Sequence, residues 1–262
     1  MISIRSHQDL VRRAVWHVAP GYMADRAVRY QRAYRERTGA RSLARKFTAE
    51  HGCKVRHGPF AGLTYPEDGD AAVAKYLGRY ETEIRDWIEE AVRRRPPHVI
   101  SIGAADGYYA VGFKHASPES AIIAFELSPE ARTSCSRTAA ANKCSIDLRR
   151  GATPRRILKQ PSERAFVLCD CEGAEIDILT PRVVHHLRGA TVVVETHDGI
   201  RAGATDIITR RFAATHDFET REVTEPGNRP TELAGWSDSE CEIALGEHRA
   251  AEVRWAKFTP RA

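Results

Sequence analysis

Four short segments of this chain carry residue types whose spacing can do chemistry. The first is Gly103-Ala104-Ala105-Asp106-Gly107, which follows the apolar run Val99-Ile100-Ser101-Ile102 and precedes a helical pattern. Glycines there let the backbone turn tightly and approach a ligand closely. Backbone N–H groups at the start of the next helix can hold an anion. Alone, such a turn is equally an ordinary strand-to-helix connection. The second is Glu126, which ends Ile123-Ala124-Phe125-Glu126, about twenty residues further on. A carboxylate at that strand end can accept hydrogen bonds from both hydroxyls of a ribose. The two features together call for a nucleoside-type cofactor; the alternative for Glu126 is a solvated strand-end acid.

The other two segments are acidic. Asp170-Cys171-Glu172-Gly173-Ala174-Glu175 follows the apolar run Phe166-Val167-Leu168-Cys169, so Asp170 emerges at the carboxyl end of a strand. Glu195-Thr196-His197-Asp198 follows Val192-Val193-Val194, and Glu195 and His197 share strand parity. A histidine there can take a proton from a substrate hydroxyl, because its unperturbed pKa lies near neutrality. Alternatively Asp170 and Glu172 act as a carboxylate pair that positions or deprotonates the acceptor, and His197 makes only a structural hydrogen bond. The candidate catalytic residues are therefore His197, Asp170, Glu172 and Glu195. The same four can bind a divalent metal that orients substrate oxygens, a reading disfavoured because they are dispersed along the sequence. Glu175 falls in the first turn of a helix, where a carboxylate favours the positive end of the dipole.

The choice of cofactor turns on one residue. A dinucleotide fingerprint, G-x-G-x-x-G, needs its middle glycine to admit a pyrophosphate; Ala105 stands there instead. S-adenosylmethionine (SAM) has no pyrophosphate and needs no such gap. The Gly103–Gly107 turn, Glu126 and the D-x-E-G-x-E segment 170–175, in that order, resemble the class I SAM-dependent methyltransferases, the last segment their FkbM-type branch. The likeness covers about residues 76 to 200. It implies a seven-stranded sheet ending in an antiparallel hairpin and methyl transfer, usually to oxygen. It also implies that Gly103, Ala104, Asp106 and Gly107 line the methionine part of SAM, that Glu126 with its neighbour Leu127 binds ribose, and that Ala152 contacts adenine. Asp170 would sit beside the methionine amino group or the substrate. Tyr80 and Glu81 belong to a segment that in similar enzymes closes over SAM; Tyr80 or Tyr108 would cover the sulfonium by a cation–π contact. The alternative for Tyr80 is a place in an apolar stripe. The acceptor expected is a small-molecule or glycan-like hydroxyl. Two rival readings are a nicotinamide-dependent oxidoreductase, which the missing glycine argues against, and a non-catalytic SAM-binding or nucleic-acid-binding module.

The elements that must hold these residues follow from periodicity. From residue 98 the pattern alternates strand and helix, with strands over 99–102, 121–125, 146–148, 166–170 and 191–196 and helices over 109–115, 129–141, 175–187 and 205–215. Short, apolar, β-branched strands belong to a parallel sheet buried on both faces. The expectation is a Rossmann-like α/β domain over 98–262, with a mostly parallel seven-stranded sheet flanked by helices. Before it come a basic helical N-terminal extension over 1–52 and a hairpin plus one amphipathic helix (72–94) over 53–97. Segment 242–245 reads as a late strand, Trp255 as an anchoring aromatic and His216 as a helix-end residue.

Bulk properties limit the rest. Hydrophobic residues, 42% of 262, suffice for a sizeable core. The net charge of +5 is mild, but Arg12, Arg13, Arg26, Arg29, Arg32, Arg35, Arg37, Arg41, Arg45 and Lys46 crowd the first fifty positions. Such a run can meet an anionic partner, a nucleic acid or a membrane surface; the plainer reading is a solvated helix face, a lid or a homo-oligomer contact, and the run lacks the aromatic platform that stacks single-stranded nucleic acid. The six cysteines show no CxxC pair, which suits a reducing, cytoplasmic setting; Cys169 and Cys171 read as buried fillers on one face. No stretch reads as a signal peptide or a membrane span.

Overall fold

The computed structural model describes residues 39–67, 71–224, 227–246 and 252–261. Strands β1 (His98–Ile102), β2 (Ala121–Glu126), β3 (Asp147–Arg150), β4 (Phe166–Cys169) and β5 (Thr191–Thr196) run parallel. Strand β6 (His216–Glu222) is the outer edge, and β7 (Arg254–Pro260) inserts antiparallel between it and β5. The seven-stranded order is β3-β2-β1-β4-β5-β7-β6. This is the mostly parallel Rossmann-like sheet with an antiparallel end that the sequence predicts. The order reverses between β1 and β4, and at such a switch point an open α/β sheet leaves a crevice outside the strand carboxyl ends.

Alternation along each strand splits the core into two layers. Val99, Ile122, Ala124, Phe166, Leu168 and Val193 pack on one face. Ile100, Ile102, Phe125, Val167, Cys169 and Val194 pack on the other. Both faces are buried, so burial fixes the register: a one-residue slip would exchange the two sets. Trp255 is fully buried in β7. Cys171 packs against the same layer as Cys169, with the sulfurs 3.6 Å apart, and all six cysteines are free thiols.

The helices in chain order are α1 (Ala40–His51), α2 (Ala72–Tyr76), α3 (Arg85–Arg94), α4 (Tyr108–Ala116), α5 (Pro129–Ala141), α6 (Pro154–Ile157), α7 (Glu175–Ile178), α8 (Pro181–His186), α9 (Ala204–Phe212) and α10 (Asp238–Leu245). The last part of the expected basic extension is α1, which buries Ala44 and Phe47 in the same core layer as Val99 and stacks Phe47 on Tyr76 with centroids 5.6 Å apart. The expected helices before residue 39, and with them the oligomer contact and most of the basic run, lie outside the described residues.

Four expectations are corrected. The single helix over 72–94 is broken between α2 and α3. There Gly78 takes a left-handed φ of 65°, and a Cβ at that position would collide with the His57 carbonyl, so the 53–66 hairpin packs onto the break. The helix over 175–187 is two helices, because Thr180 caps Val183 N–H and Pro181 opens a new first turn. Segment 242–245 is helical: Ser237 and Glu240 form a reciprocal capping box at the start of α10, and that local signal outweighs an apolar tetrad. His216 opens β6 rather than ending a helix. It is buried between the Ala190 carbonyl (3.0 Å) and Thr215 Oγ1 (2.8 Å), where burial lowers its pKa.

Candidate active site

The crevice at the switch point gathers the residues singled out from the sequence. Gly103 and Ala104 donate their N–H groups to the Phe125 carbonyl (2.9 and 3.0 Å), which ties the turn after β1 to the end of β2. On the other side, Asp170 N–H donates to the Ile102 carbonyl at 2.9 Å. A Cβ at Gly103, whose φ is 84°, would overlap the Asp170 carbonyl oxygen. Turn and β4 end are thus packed back to back, and only glycine fits. The Glu126 carboxylate accepts from Ala105 N–H (2.9 Å) and Ser128 N–H (2.7 Å). An ionised carboxylate has about four acceptor sites, so two backbone donors orient this one and leave capacity for a diol. Leu127 lies beside the turn after β3, where a Cβ on Gly151 would meet its Cδ1 at 3.0 Å. Ala152 follows, packed against the Phe125 layer.

Asp106 is placed differently from its neighbours. Its Oδ2 accepts from Lys75 Nζ at 2.7 Å and from the Tyr65 hydroxyl, and its Oδ1 accepts from Tyr108 N–H at 3.2 Å. Burial pushes the Asp106 carboxyl up, but the Lys75 charge and these hydrogen bonds outweigh it and hold the group below the usual carboxylate range. Both oxygens are engaged with the protein, so the carboxylate anchors the turn from within. Lys75 and Tyr65 are the residues that sequence reasoning missed. The available signal was a lone lysine in the apolar run Ala71-Ala72-Val73-Ala74-Lys75-Tyr76-Leu77. Tyr80 packs edge-on against Tyr108 at 5.6 Å, and the cation over its ring is Lys75 Nζ at 4.7 Å. Glu81 is buried, has a left-handed φ of 49° and accepts from the Tyr109 hydroxyl. Tyr108 is buried, and burial raises its pKa.

This network has a testable energetic consequence. Removing one partner of a buried ion pair costs about 3–5 kcal/mol, so Lys75→Met is expected to lose that much stability at pH 7. A depressed carboxylate pKa contributes stability that is fully present above the unfolded value, about 3.9, and is lost as pH falls through the lower folded value. Without Lys75, only the Tyr65 and Tyr108 hydrogen bonds oppose burial, so the Asp106 pKa rises from its value in the parent chain and protonation relieves part of the penalty. The gap between Lys75→Met and the parent chain, measured by urea unfolding, should therefore narrow between pH 7 and pH 4. A constant gap would rule out the Asp106 charge as its origin.

The acidic segments meet at the carboxyl ends of β4 and β5. His197 is 3% exposed at its side chain, and its Nε2 lies 3.2 Å from Glu195 Oε2 and 3.7 Å from both Asp170 Oδ1 and Glu172 Oε2. Its Nδ1 lies 3.5 Å from Glu175 Oε1, and its N–H donates to that same oxygen at 2.9 Å. Glu175, expected as a helix-dipole acid, does sit in the first turn of α7, but it is wholly buried under His197. Burial disfavours the imidazolium, yet Glu175 and Glu195 overcome it and raise the His197 pKa well above its ordinary value. Burial, Glu195 and Glu172 likewise raise Asp170 against the opposing pull of His197. Glu172 has a left-handed φ of 55°, a strained conformation of the kind that collects at functional sites. Residues dispersed in the sequence are thus brought within one cluster, abutting the Gly103 turn through Asp170.

No protein-family model matches the sequence, and no curated protein matches it. Solved structures with a similar fold include a precorrin-6y C5,15-methyltransferase from Geobacter metallireducens, with 12% identity, 68% of this chain and 89% of that one covered, and a TM-score of 0.48. An O-methyltransferase from Bacillus cereus in complex with SAH matches at 8% identity over 65% of this chain and 77% of that one, with a TM-score of 0.46. The O-methyltransferase TomG from Streptomyces achromogenes, in complex with SAM, matches at 15% identity over 66% and 77%, with a TM-score of 0.45. Likenesses this distant carry no functional argument, so the functional reading rests on this chain's own residues. Among the described residues, no helix is long and apolar enough to cross a membrane.

Proposed function

We propose that this chain is a SAM-dependent methyltransferase that methylates a hydroxyl oxygen of a small-molecule or glycan-like acceptor. The observation that carries the reading is the presentation of Glu126. Its carboxylate is held by Ala105 and Ser128 N–H groups beside the Gly103–Gly107 turn, at the switch point of a seven-stranded sheet. That arrangement fits a ribose diol, and Ala105 in place of a middle glycine fits a cofactor without a pyrophosphate. The finer assignment to the FkbM-type branch rests on the segment Asp170-Cys171-Glu172-Gly173-Ala174-Glu175.

SAM, when bound, supplies an electrophilic methyl group on a sulfonium. The chain's part is to hold acceptor and methyl at contact distance and to keep water out. Glu126 orients the nucleoside end. Asp170, packed against the turn, and Glu172 face the acceptor side, where a carboxylate oxygen takes the hydroxyl proton as the oxygen–carbon bond forms and the carbon–sulfur bond breaks. His197, surrounded by Asp170, Glu172, Glu175 and Glu195, holds those carboxylates in place. This favours the carboxylate pair as base and gives His197 the positioning role.

Calorimetric titration tests the cofactor. SAM is expected to bind and NAD is not. Hydrogen bonds to a charged group contribute about 1.5–3 kcal/mol, so Glu126→Gln, which keeps the side chain's size, should weaken SAM by about tenfold or more. NAD binding, or SAM affinity indifferent to Glu126, would overturn the reading.

A further inference from the structure

We propose that Asp170, Glu172 and His197, backed by Glu195, form a binding site for one divalent cation of the Mn2+/Mg2+ type. The ligand atoms of Asp170, Glu172 and His197 all lie within 4.8 Å of one another. The separation of 3.7 Å from His197 Nε2 to Asp170 Oδ1 and to Glu172 Oε2 is too long for a hydrogen bond. It suits two donors sharing an ion: with bonds of about 2.1 Å, two ligand atoms lie at most about 4.2 Å apart. Glu172, half-exposed at its side chain, would make the remaining adjustment by a change of rotamer.

A further observation points to a ligand. Asp170 Oδ1 is buried without a hydrogen-bond partner, 3.7 Å from Nε2 of the nearly inaccessible His197. That imidazole turns Nε2 toward the carboxylates while Nδ1 faces the wholly buried Glu175 at 3.5 Å. A carboxylate behind an imidazole, with the other ring nitrogen directed at a cluster of donors, is how metal-bound histidines are oriented. Crowding Asp170, Glu172, Glu175 and Glu195 around one imidazole also concentrates negative charge that a divalent cation neutralises.

The donor set selects the ion. Oxygen donors from carboxylates suit Mg2+ and Mn2+, and the single imidazole nitrogen suits Mn2+ better than Mg2+. The Cys171 sulfur instead sits by Cys169 in the buried layer, so no thiolate draws the site toward Zn2+. Asp170 and Glu172 are 31% and 49% exposed at their side chains, which leaves the ion open to further oxygen ligands. On the methyltransferase reading, on which this last step rests, those are acceptor hydroxyls whose pKa the ion lowers.

The test is titration of the chelator-treated full chain with Mn2+, followed by electron paramagnetic resonance of the free ion, with SAM binding measured separately on the same samples. One ion per chain is expected, with a Kd at or below about 1 mM. Because His197→Ala removes a buried group, Glu172→Gln is the decisive variant: it should weaken Mn2+ about tenfold or more while thermal unfolding in chelator stays unchanged. No saturable site, or equal Mn2+ binding by Glu172→Gln, overturns the inference. SAM binding without Mn2+ binding removes the metal site alone. Mn2+ binding without SAM binding removes the methyltransferase reading and leaves the metal site standing.

Discussion

Gly103→Ala is expected to destabilise the chain by about 4 kcal/mol and to abolish SAM binding in whatever fraction remains folded. Two costs combine. The backbone at Gly103 has a φ of 84°, in the region L-residues avoid, and the new Cβ would overlap the Asp170 carbonyl oxygen. That carbonyl cannot retreat freely, because Asp170 N–H is held by Ile102 and the residue belongs to the cluster around His197. The turn would have to lift away from β4, and Ala105 N–H, which holds Glu126, would move with it. A control separates the two costs. Gly203 has a similar φ of 77° with nothing within 4 Å of its virtual Cβ, so Gly203→Ala should cost only the conformational part, about 1–2 kcal/mol. Urea unfolding of both variants, with SAM titration of each, checks the expectation. Equal losses would mean that the close approach of turn and β4 does not matter.

The parts of this molecule legible in its sequence are those set by local pattern. Apolar strands buried on both faces announce themselves, so the parallel core of the sheet is readable from 98 to 196. Helix α5, with Ser128 as cap and Pro129 at its first position, matches the expected 129–141. Longer apolar patterns misled where tertiary contacts decide. Tyr76, Leu77, Ile84, Trp87 and Ile88 are all buried as one helical stripe would require, yet Gly78 packed on His57 breaks the helix that would carry them. Helix α10 was missed because its capping box lies upstream of the apolar residues that suggested a strand. In the site, spacing showed which residues stand at strand ends, because strand parity is local. It did not show that Asp106 turns inward to Lys75 and Tyr65, since that pair comes from another segment entirely. Nor did it show that Glu175 lies under His197, because α7 and the end of β5 meet only in the folded chain.

His197→Ala should lower kcat for methyl transfer about 100-fold or more, in the range lost when a proton-transfer site is disabled, while SAM affinity changes no more than about threefold. The asymmetry follows from where the residue sits. His197 touches Asp170, Glu172, Glu175 and Glu195, whereas the groups proposed for the nucleoside end of SAM, Glu126, Leu127 and Ala152, lie on the other side of the Gly103 turn. Without the imidazole, four carboxylates face one another across the space it filled. Like charges disfavour each other's ionised forms, so protons are taken up and the geometry that places Asp170 and Glu172 at the acceptor is lost. Stability falls as well, because the buried Glu175 loses its neighbour, so the comparison needs His197→Gln, which restores a polar group at that position. If His197 acts only by filling space, His197→Gln regains most of the turnover. If its role is to hold carboxylates or an ion through a ring nitrogen, His197→Gln recovers stability but not kcat. Turnover unchanged in His197→Ala would remove the β5 end from the reaction altogether and leave Asp170 and Glu172 to act alone.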